Sequence, residues 1–461
     1  MGFKRSLVQI QSPRFLCREV VVDNASINVG LLGWGTVGTG VSKILLNQNN
    51  LIEQNAGIQL RLIKIAKRTL PASRPGVELG AECLTTNPAE IVENPEIDIV
   101  VELMGGTDEA RSLVTQAIRN GKHVVTANKA LLAAHGFELF QLADKHNVSL
   151  NFEASAAGGI PIIKTLRESF AANRIHSIYG IINGTCNYIL TEMHENEVDF
   201  DEVLKDAQAK GYAEADPIFD VEGIDAAHKL TLLTSLAYGF AMPMDGVYTE
   251  GITHITPNEI QYARELGYVI KLLAIAKLNQ DRVETRVHPT LVPVRSMLAN
   301  VGGAFNTVCV IGDAVGPTLF YGQGAGEMPT ASAVVADIID AAKSISGRVR
   351  SQVPRGWLSG SQANIALCPI DDVETRYYVR LVVLDQPGVL AQISNILGEH
   401  RISIASVIQK ERHEIDDTAS IVIVTHKAVE KNMQMAIREI DTLGVVKGTS
   451  RLIRIEEEVA F

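Results

Sequence analysis

Residues 27–47 read INVGLLGWGTVGTGVSKILLN. A short apolar run of strand character gives way to glycines at 33, 35 and 38, and a helical pattern follows. Gly33-Trp34-Gly35-Thr36-Val37-Gly38 has the spacing G-x-G-x-x-G. Each glycine has a physical reason to be there. Gly33 allows a tight turn, Gly35 leaves no Cβ between the backbone and a pyrophosphate, and Gly38 lets the helix lie close to the strand. The first N–H groups of the helix, at Thr36 and Val37, carry partial positive charge that suits an anion. The motif follows a strand and opens a helix, so the stretch predicts a dinucleotide-binding unit rather than a bare turn.

Further along, LRLIKIA (60–66), IDIVVELMGG (97–106), HVVTANK (123–129) and VSLNFEAS (148–155) read as strands separated by helical stretches such as EARSLVTQAIRN (109–120). This rhythm predicts an α/β fold, a doubly wound parallel sheet of Rossmann type over 27–156. Beyond it come helical stretches at 184–195, 199–210 and 225–239. The strand-like runs VIKLLAIAKL, VETRVHPTLVP and FNTVCVIGD follow. Residues 157–328 are therefore expected to form an inserted α+β substrate and dimerisation domain. A helix over 329–347 would return to the first sheet. Residues 348–373 are rich in Gly, Pro, Ser and Arg and read as a linker. The order strand, helix, strand, strand, helix, strand over 374–461 predicts a ferredoxin-like βαββαβ unit.

Composition excludes several classes. The 461 residues are 46% hydrophobic and 21% charged, with a formal net charge of −11. No basic run interleaved with aromatics points to nucleic acid, and no stretch approaches the roughly 20 apolar residues of a membrane helix. The five cysteines are scattered, which fits a reducing, cytoplasmic setting and no disulfide framework. The eleven histidines show no metal-binding spacing. Residues 1–26 are interrupted by Gln, Ser, Pro and Arg and read as a disordered extension or leader rather than a signal peptide.

Several polar residues stand where chemistry could occur. Strand two ends Ile65-Ala66-Lys67-Arg68 with no carboxylate to hold a ribose 2′-OH. Lys67 and Arg68 would instead suit a 2′-phosphate, so NADP is favoured, with NAD left open. Lys129 follows an apolar strand and so sits at a strand C-terminus, where open α/β sheets bind ligands. Asp225 and Lys229 are four apart on a predicted helix and can pair. Asn183-Gly184-Thr185 ends a strand and starts a helix, and its N–H groups suit a carboxylate. Gly322, Gly324 and Gly326 form a second glycine loop before the long helix.

The chain resembles homoserine dehydrogenases. The resemblance is carried by GLLGWGTVG, VVELMGG (100–106), VVTANKALLA (124–133), FEASAAGGIPII (152–163) and GIINGTCNYIL (180–190). It continues in GYAEADPIFDVEGIDAAHKL (211–230) and GQGAGEMPTASAVVADI (322–338). The tail, with LDQPGVLAQISNIL (384–397), is similar to an ACT domain, a small-molecule sensor. The resemblance implies NAD(P)-linked interconversion of L-aspartate 4-semialdehyde and L-homoserine, in threonine and methionine biosynthesis. It implies that Lys229 is the catalytic lysine, with Asp225 its neighbour, and that Lys129 shares proton transfer or positions the substrate. Glu214 would take the substrate amino group, and Asp220 would line the site with Asn183, Gly184 and Thr185. Gly105, Thr126 and Gly326 would reach the cofactor. The carboxylate of Glu153 and the carbonyls of Ala156, Gly158 and Ile160 would hold a monovalent cation, sodium. Asp385, Gly388, Val389 and Leu390 would form the effector loop, with L-threonine as the candidate ligand. With no kinase domain ahead of the first strand, the chain reads as the monofunctional form, and a homodimer or homotetramer is expected.

Two other readings compete. An aldehyde dehydrogenase that phosphorylates its product would need a cysteine nucleophile. Cys186 lies near the site, but no residue around it looks like an activating base. A non-catalytic NAD(P)- and amino-acid-binding sensor would have no use for Asp225, Lys229 and Lys129.

Overall fold

Strand β1 (Ile27–Leu32) runs into the glycine turn and lies inside a six-stranded parallel sheet. The other strands are β2 (Leu60–Ala66), β3 (Leu84–Thr85), β4 (Ile99–Glu102), β5 (His123–Thr126) and β6 (Leu150–Asn151). Their spatial order is β3-β2-β1-β4-β5-β6, all parallel. The chain reverses its direction of winding between β1 and β4. At such a switch point the strand C-termini open a crevice for ligands. In this computed structural model the described residues are 26–70, 73–347, 365–409 and 417–459. The expected extension therefore lies outside them except for its last residue, as does most of the linker. Among the described residues no helix is long and apolar enough to cross a membrane.

The helix Thr36–Asn47 packs on the long helix Glu327–Ile345. A Cβ on Gly40 would come within 2.7 Å of Glu327 O, so the two backbones touch at this point. Lys43 Nζ bonds Glu327 Oε1 at 2.6 Å beside the contact. The stretch 148–155 is shorter as a strand than its sequence predicts. Only Leu150–Asn151 pairs, and Glu153–Ser155 then coils as a 3-10 turn. The long helix draws the chain away from the sheet. Asp337 Oδ2 accepts from Glu153 N at 2.7 Å, and Asn151 Nδ2 donates to Asp337 O at 3.1 Å.

A second, mixed sheet carries β7 (Ile175–Ile181), β8 (Tyr248–Thr249), β9 (Tyr268–Asn279), β10 (Arg282–Pro293), β11 (Phe305–Gly312) and β12 (Gly316–Gln323). β9 and β10 form a long hairpin, from Arg282↔Asn279 to Pro293↔Tyr268. The short β13 (Ala366–Leu367) adds parallel to β10, so part of the stretch read as linker is strand.

The C-terminal unit runs β14 (Glu374–Leu384), helix Val389–Glu399, β15 (Ile404–Gln409), β16 (Thr418–Thr425), β17 (Ala428–Val429), helix Glu430–Asp441 and β18 (Arg451–Ile455). Its main strands keep the βαββαβ order. The unit does not stand apart. β18 pairs parallel with β10 through Thr290↔Arg454 and Leu291↔Ile455, so one sheet runs β12-β11-β7-β9-β10-β18-β14-β16-β15. Buried ion pairs accompany this seam. Arg454 is 2% exposed and bonds Glu430 Oε1 at 2.5 Å and Glu250 Oε2 at 2.7 Å. Arg286 lies 3.2 Å from Glu456 Oε2.

Candidate active site

The three glycines of the first turn differ in what surrounds them. Gly33 has φ +101°, and a Cβ there would meet Leu103 O at 2.7 Å. A Cβ on Gly38 would lie 2.5 Å from Gly33 O. A Cβ on Gly35 would meet nothing within 4 Å. Turn and packing thus fix two of the glycines, while the third faces open space at a helix start, as a phosphate cradle requires. Gly105, at the head of β4, has φ +74° and is equally open. These features fit a dinucleotide.

Facing this turn is a cleft of about 880 Å³, lined by Val37, Lys129, Gly184, Thr185, Glu214, Asp220, Asp225, Lys229, Gly326 and neighbouring residues. Asp225 lies at its floor, 5% exposed, on the helix Ile224–Tyr238. Its Oδ2 accepts from Lys229 Nζ at 2.7 Å and from Asn183 Nδ2 at 2.9 Å. Its Oδ1 is 3.2 Å from Lys129 Nζ. Lys229 also donates to Ile182 O at 2.7 Å. Burial by itself would raise the Asp225 pKa, but the two lysines and Asn183 outweigh it and hold the group down to about 2. Asp220 accepts from Asn183 Nδ2 at 2.7 Å and lies 3.3 Å from Thr185 Oγ1. Burial, with the Asp225 charge adding to it, raises its pKa. Glu214 is exposed at the rim, and its carboxylate has no hydrogen-bond partner among the described residues.

Local sequence explains these positions. Asn183 caps the helix Gly184–Asn196 by accepting from Cys186 N at 2.8 Å, while its amide reaches both aspartates. Asn128 caps the helix Lys129–Lys145 in the same way, setting Lys129 on its first turn. The Cys186 thiol donates to Asp220 O at 3.1 Å, and burial, then the nearby aspartates, push its pKa well up. It is not an activated nucleophile, which removes the phosphorylating aldehyde dehydrogenase reading.

Thr126 lies outside the lining of this cleft, as do Lys67, Arg68 and Glu153, whose expected places are at a 2′-phosphate and at a cation. Thr126 is fully buried, and its hydroxyl donates to Glu102 Oε2 at 2.6 Å. Glu102 in turn accepts from Met104 N at 2.8 Å and Gly105 N at 3.3 Å. Thr126 thus helps hold the Gly105 loop from behind. Lys67 and Arg68 lie at the far end of the glycine turn, with Lys67 Nζ 5.9 Å from the Trp34 ring centroid and Arg68 exposed. Glu153 directs both carboxylate oxygens at backbone amides, Ile163 N at 2.9 Å and Lys164 N at 2.7 Å. Ile160 O already accepts from Ile162 N at 2.8 Å. Among the described residues no cluster of three or more His, Cys, Asp or Glu side chains could hold a metal ion.

In the C-terminal unit, Gly388 caps the helix Val389–Glu399 with φ +91° and open space around it. Val389 is buried and Leu390 is 37% exposed. Asp385 Oδ1 lies 3.5 Å from Gln409 Nε2.

Sequence reasoning missed Glu102, Arg74 and Asn306. Arg74 donates to Trp34 O at 2.8 Å and so covers the glycine turn. Asn306 is a buried carboxamide lining the cleft. Arg74 and Asn306 are lone polar residues with no motif around them, and Glu102 lies inside VVELMGG, where nothing in the spacing singles it out.

Comparison with known proteins agrees with this geometry. The family model "Homoserine dehydrogenase, NAD binding domain" matches residues 33–153, "Homoserine dehydrogenase" matches 161–339, and "ACT domain" matches 377–443. The homoserine dehydrogenase of Pseudomonas aeruginosa is 47% identical over 432 residues, covering 94% of this chain and 99% of that protein. That of Neisseria gonorrhoeae is 48% identical, covering 93% and 98%. The crystal structure of a homoserine dehydrogenase from Thiobacillus denitrificans superposes with a TM-score of 0.88 at 50% identity, over 94% of this chain and 99% of that one. A hyperthermophilic archaeal homoserine dehydrogenase solved in complex with NADPH superposes with a TM-score of 0.58 at 27% identity, over 69% of this chain and 98% of that one. With the Asp225–Lys229 pair facing a dinucleotide turn, and with matches along nearly the whole chain, the chain belongs to the homoserine dehydrogenase family.

Proposed function

We propose that the cleft interconverts L-homoserine and L-aspartate 4-semialdehyde with Lys229 handling the proton. The observation that carries this is Asp225, buried between Lys229 and Lys129 at the floor of a cleft that opens on the glycine turn. The bound nicotinamide cofactor supplies the hydride in reduction and takes it in oxidation. As the hydride reaches the aldehyde carbon, negative charge builds on the oxygen. The Lys229 ammonium stabilises that charge and donates a proton to it. In the reverse direction the Lys229 amine takes the alcohol proton. Asp225 holds both lysines in place. Lys129, 32% exposed at the cleft wall, positions the substrate oxygen. The amides of Gly184 and Thr185 receive the substrate carboxylate at their helix start, and Glu214, at the rim, receives its ammonium.

NADP is the preferred cofactor in this reading. Lys67 and Arg68 follow β2 with no carboxylate beside them, and the archaeal relative's structure holds NADPH. In this reading Glu153, Ala156, Gly158 and Ile160 hold a sodium ion. Burial pushes the Glu153 carboxyl up to about 7, and Asp337 beside it well up, so a cation here would relieve two confined carboxylates. The carbonyls of Ala156 and Gly158 accept no hydrogen bond among the described residues, whereas that of Ile160 does. The loop from Asp385 to Leu390, with the open helix start at Gly388, is the proposed effector site for L-threonine. β12 and β15 stand at the two open ends of the long sheet, and an exposed edge invites a second copy of the chain. In this reading the edges support a homodimer or homotetramer, in a cytoplasmic setting.

Initial rates of L-homoserine oxidation with NADP and with NAD, each with and without L-threonine, test this reading. Turnover that is faster with NADP and depressed by threonine supports it in full. A folded protein that binds cofactor but never turns over would favour the sensor.

A further inference from the structure

We propose that Asn306 is a binding residue of this cleft, whose side-chain oxygen accepts a hydrogen bond from an N–H donor on a bound reactant. The inference rests on the reading of the cleft as a homoserine dehydrogenase site. Asn306 lies on β11, opposite Gly322 in the β11–β12 pairing, and is 1% exposed. Its Oδ1 is buried and has no hydrogen-bond partner among the described residues. Burying an amide oxygen without a donor is unfavourable, so an orphan of this kind in a cleft calls for a ligand.

The carboxamide sits where the two halves of the site meet. A Cβ built on Gly184, the first residue of the substrate helix, would lie 3.6 Å from Oδ1. A Cβ built on Gly324, in the second glycine loop, would lie 1.9 Å from Nδ2. The amide group is thus pressed against one backbone turn and close to the other, and any side chain at 324 would displace it. The partial positive charge of the helix start at Gly184 favours the oxygen on that side. Asn187 Nδ2 donates to Gly303 O at 2.9 Å and to Phe305 O at 3.1 Å, which fixes the strand just ahead of Asn306.

The side-chain donors nearby are committed elsewhere, and the free helix-start amides of Gly184 and Thr185 are assigned to the substrate carboxylate. Thr185 Oγ1 donates to Tyr212 O at 2.6 Å, Asn183 Nδ2 serves Asp220 and Asp225, and Lys229 Nζ serves Asp225 and Ile182 O. Two N–H donors arrive with the reactants, the carboxamide NH2 of the nicotinamide and the ammonium of homoserine. Both offer the chemistry that the Asn306 oxygen lacks.

The test compares the unaltered protein with Asn306→Leu, which has a similar shape and no acceptor, and with Asn306→Asp, which keeps an acceptor. Melting temperature, KM for NADP and for homoserine, and the NADPH dissociation constant by fluorescence titration are measured for each. The rates are repeated with the 3-acetylpyridine analogue of the cofactor, a methyl ketone without the NH2. For Asn306→Leu we expect one affinity to weaken about tenfold with little change in melting temperature, the size of one lost hydrogen bond, and for Asn306→Asp we expect a smaller loss. If the partner is the carboxamide, NADPH binding weakens and the Leu variant no longer distinguishes the two cofactors. If it is the ammonium, only the homoserine KM rises. A folded Leu variant with both affinities within about twofold of the original overturns the proposal. If Leu prevents folding, Asn306→Ala is read in the same way. Absence of homoserine turnover by the unaltered chain would overturn the reading of the cleft, whereas normal turnover with an indifferent Leu variant would overturn only the role of Asn306.

Discussion

Asp225 touches two lysines at once, Lys229 through Oδ2 at 2.7 Å and Lys129 through Oδ1 at 3.2 Å, although 96 positions separate Lys129 from Asp225 in the chain. The carboxylate is nearly excluded from water, so it sets where both ammonium groups point.

Replacing it tests that role. Asp225→Asn keeps the shape and removes the charge between the lysines. Its kcat should fall about 10²-fold, in the range expected when an acid–base group is misplaced. Stability should change with a definite sign. The native Asp225 is held at about 2, below the ordinary value near 4, so its contribution is present above about pH 4 and is lost as pH falls toward 2. Urea midpoints collected over that window should slope less for the Asn variant, and equal slopes would contradict the pairing.

The glycine turn separates folding from binding. Gly33→Ala forces a Cβ against Leu103 O in a left-handed backbone, so the melting temperature should drop by several degrees. Gly35→Ala meets nothing in the chain, so its melting temperature should hold while the KM for cofactor rises about tenfold or more. A Gly35→Ala protein with unchanged cofactor KM would mean that the pyrophosphate lies elsewhere.

The buried Glu153 gives a salt test. Its pKa is raised to about 7, so the stability it contributes is complete below its ordinary value near 4.5 and is lost as pH rises through about 7. A bound sodium ion would offset that loss. Melting temperatures in sodium chloride should exceed those in tetramethylammonium chloride at pH 8 and match them at pH 5. The same sodium effect at both pH values would argue against a cation at this carboxylate.

The seam between the regulatory and catalytic sheets depends on Arg454. Removing one partner of a buried ion pair strands the other, at a cost of about 3–5 kcal/mol. Arg454→Met should therefore lower the melting temperature clearly, and amide exchange should quicken along β10 and β18. A variant as stable as the original, with unchanged exchange, would show that the β10–β18 pairing holds without the arginine.

What the sequence disclosed and what it hid have the same origin. The glycine turn, the helix pair Asp225–Lys229 and the βαββαβ order are local, set by spacings of one to a few residues, and the structure contains all three. The fusion of the two sheets is not local. It pairs Thr290 with Arg454 across a segment rich in Gly and Pro, and nothing in RLIRI announces a neighbour 164 positions away. Glu102, Arg74 and Asn306 escaped notice for a related reason. A single polar residue beside an apolar run looks the same whether it faces water or a buried loop. The placement of Thr126 turned on such a residue, because its hydroxyl follows Glu102 into the interior.

Proton transfer in this cleft centres on Lys229. The most direct measurement is the steady-state rate of L-homoserine oxidation by Lys229→Ala, beside its NADPH dissociation constant and melting temperature. The expected result is a loss in kcat of about 10²-fold or more with cofactor binding and folding retained. Turnover close to that of the unaltered protein would contradict it and move the proton to another group, with Lys129 the first to examine.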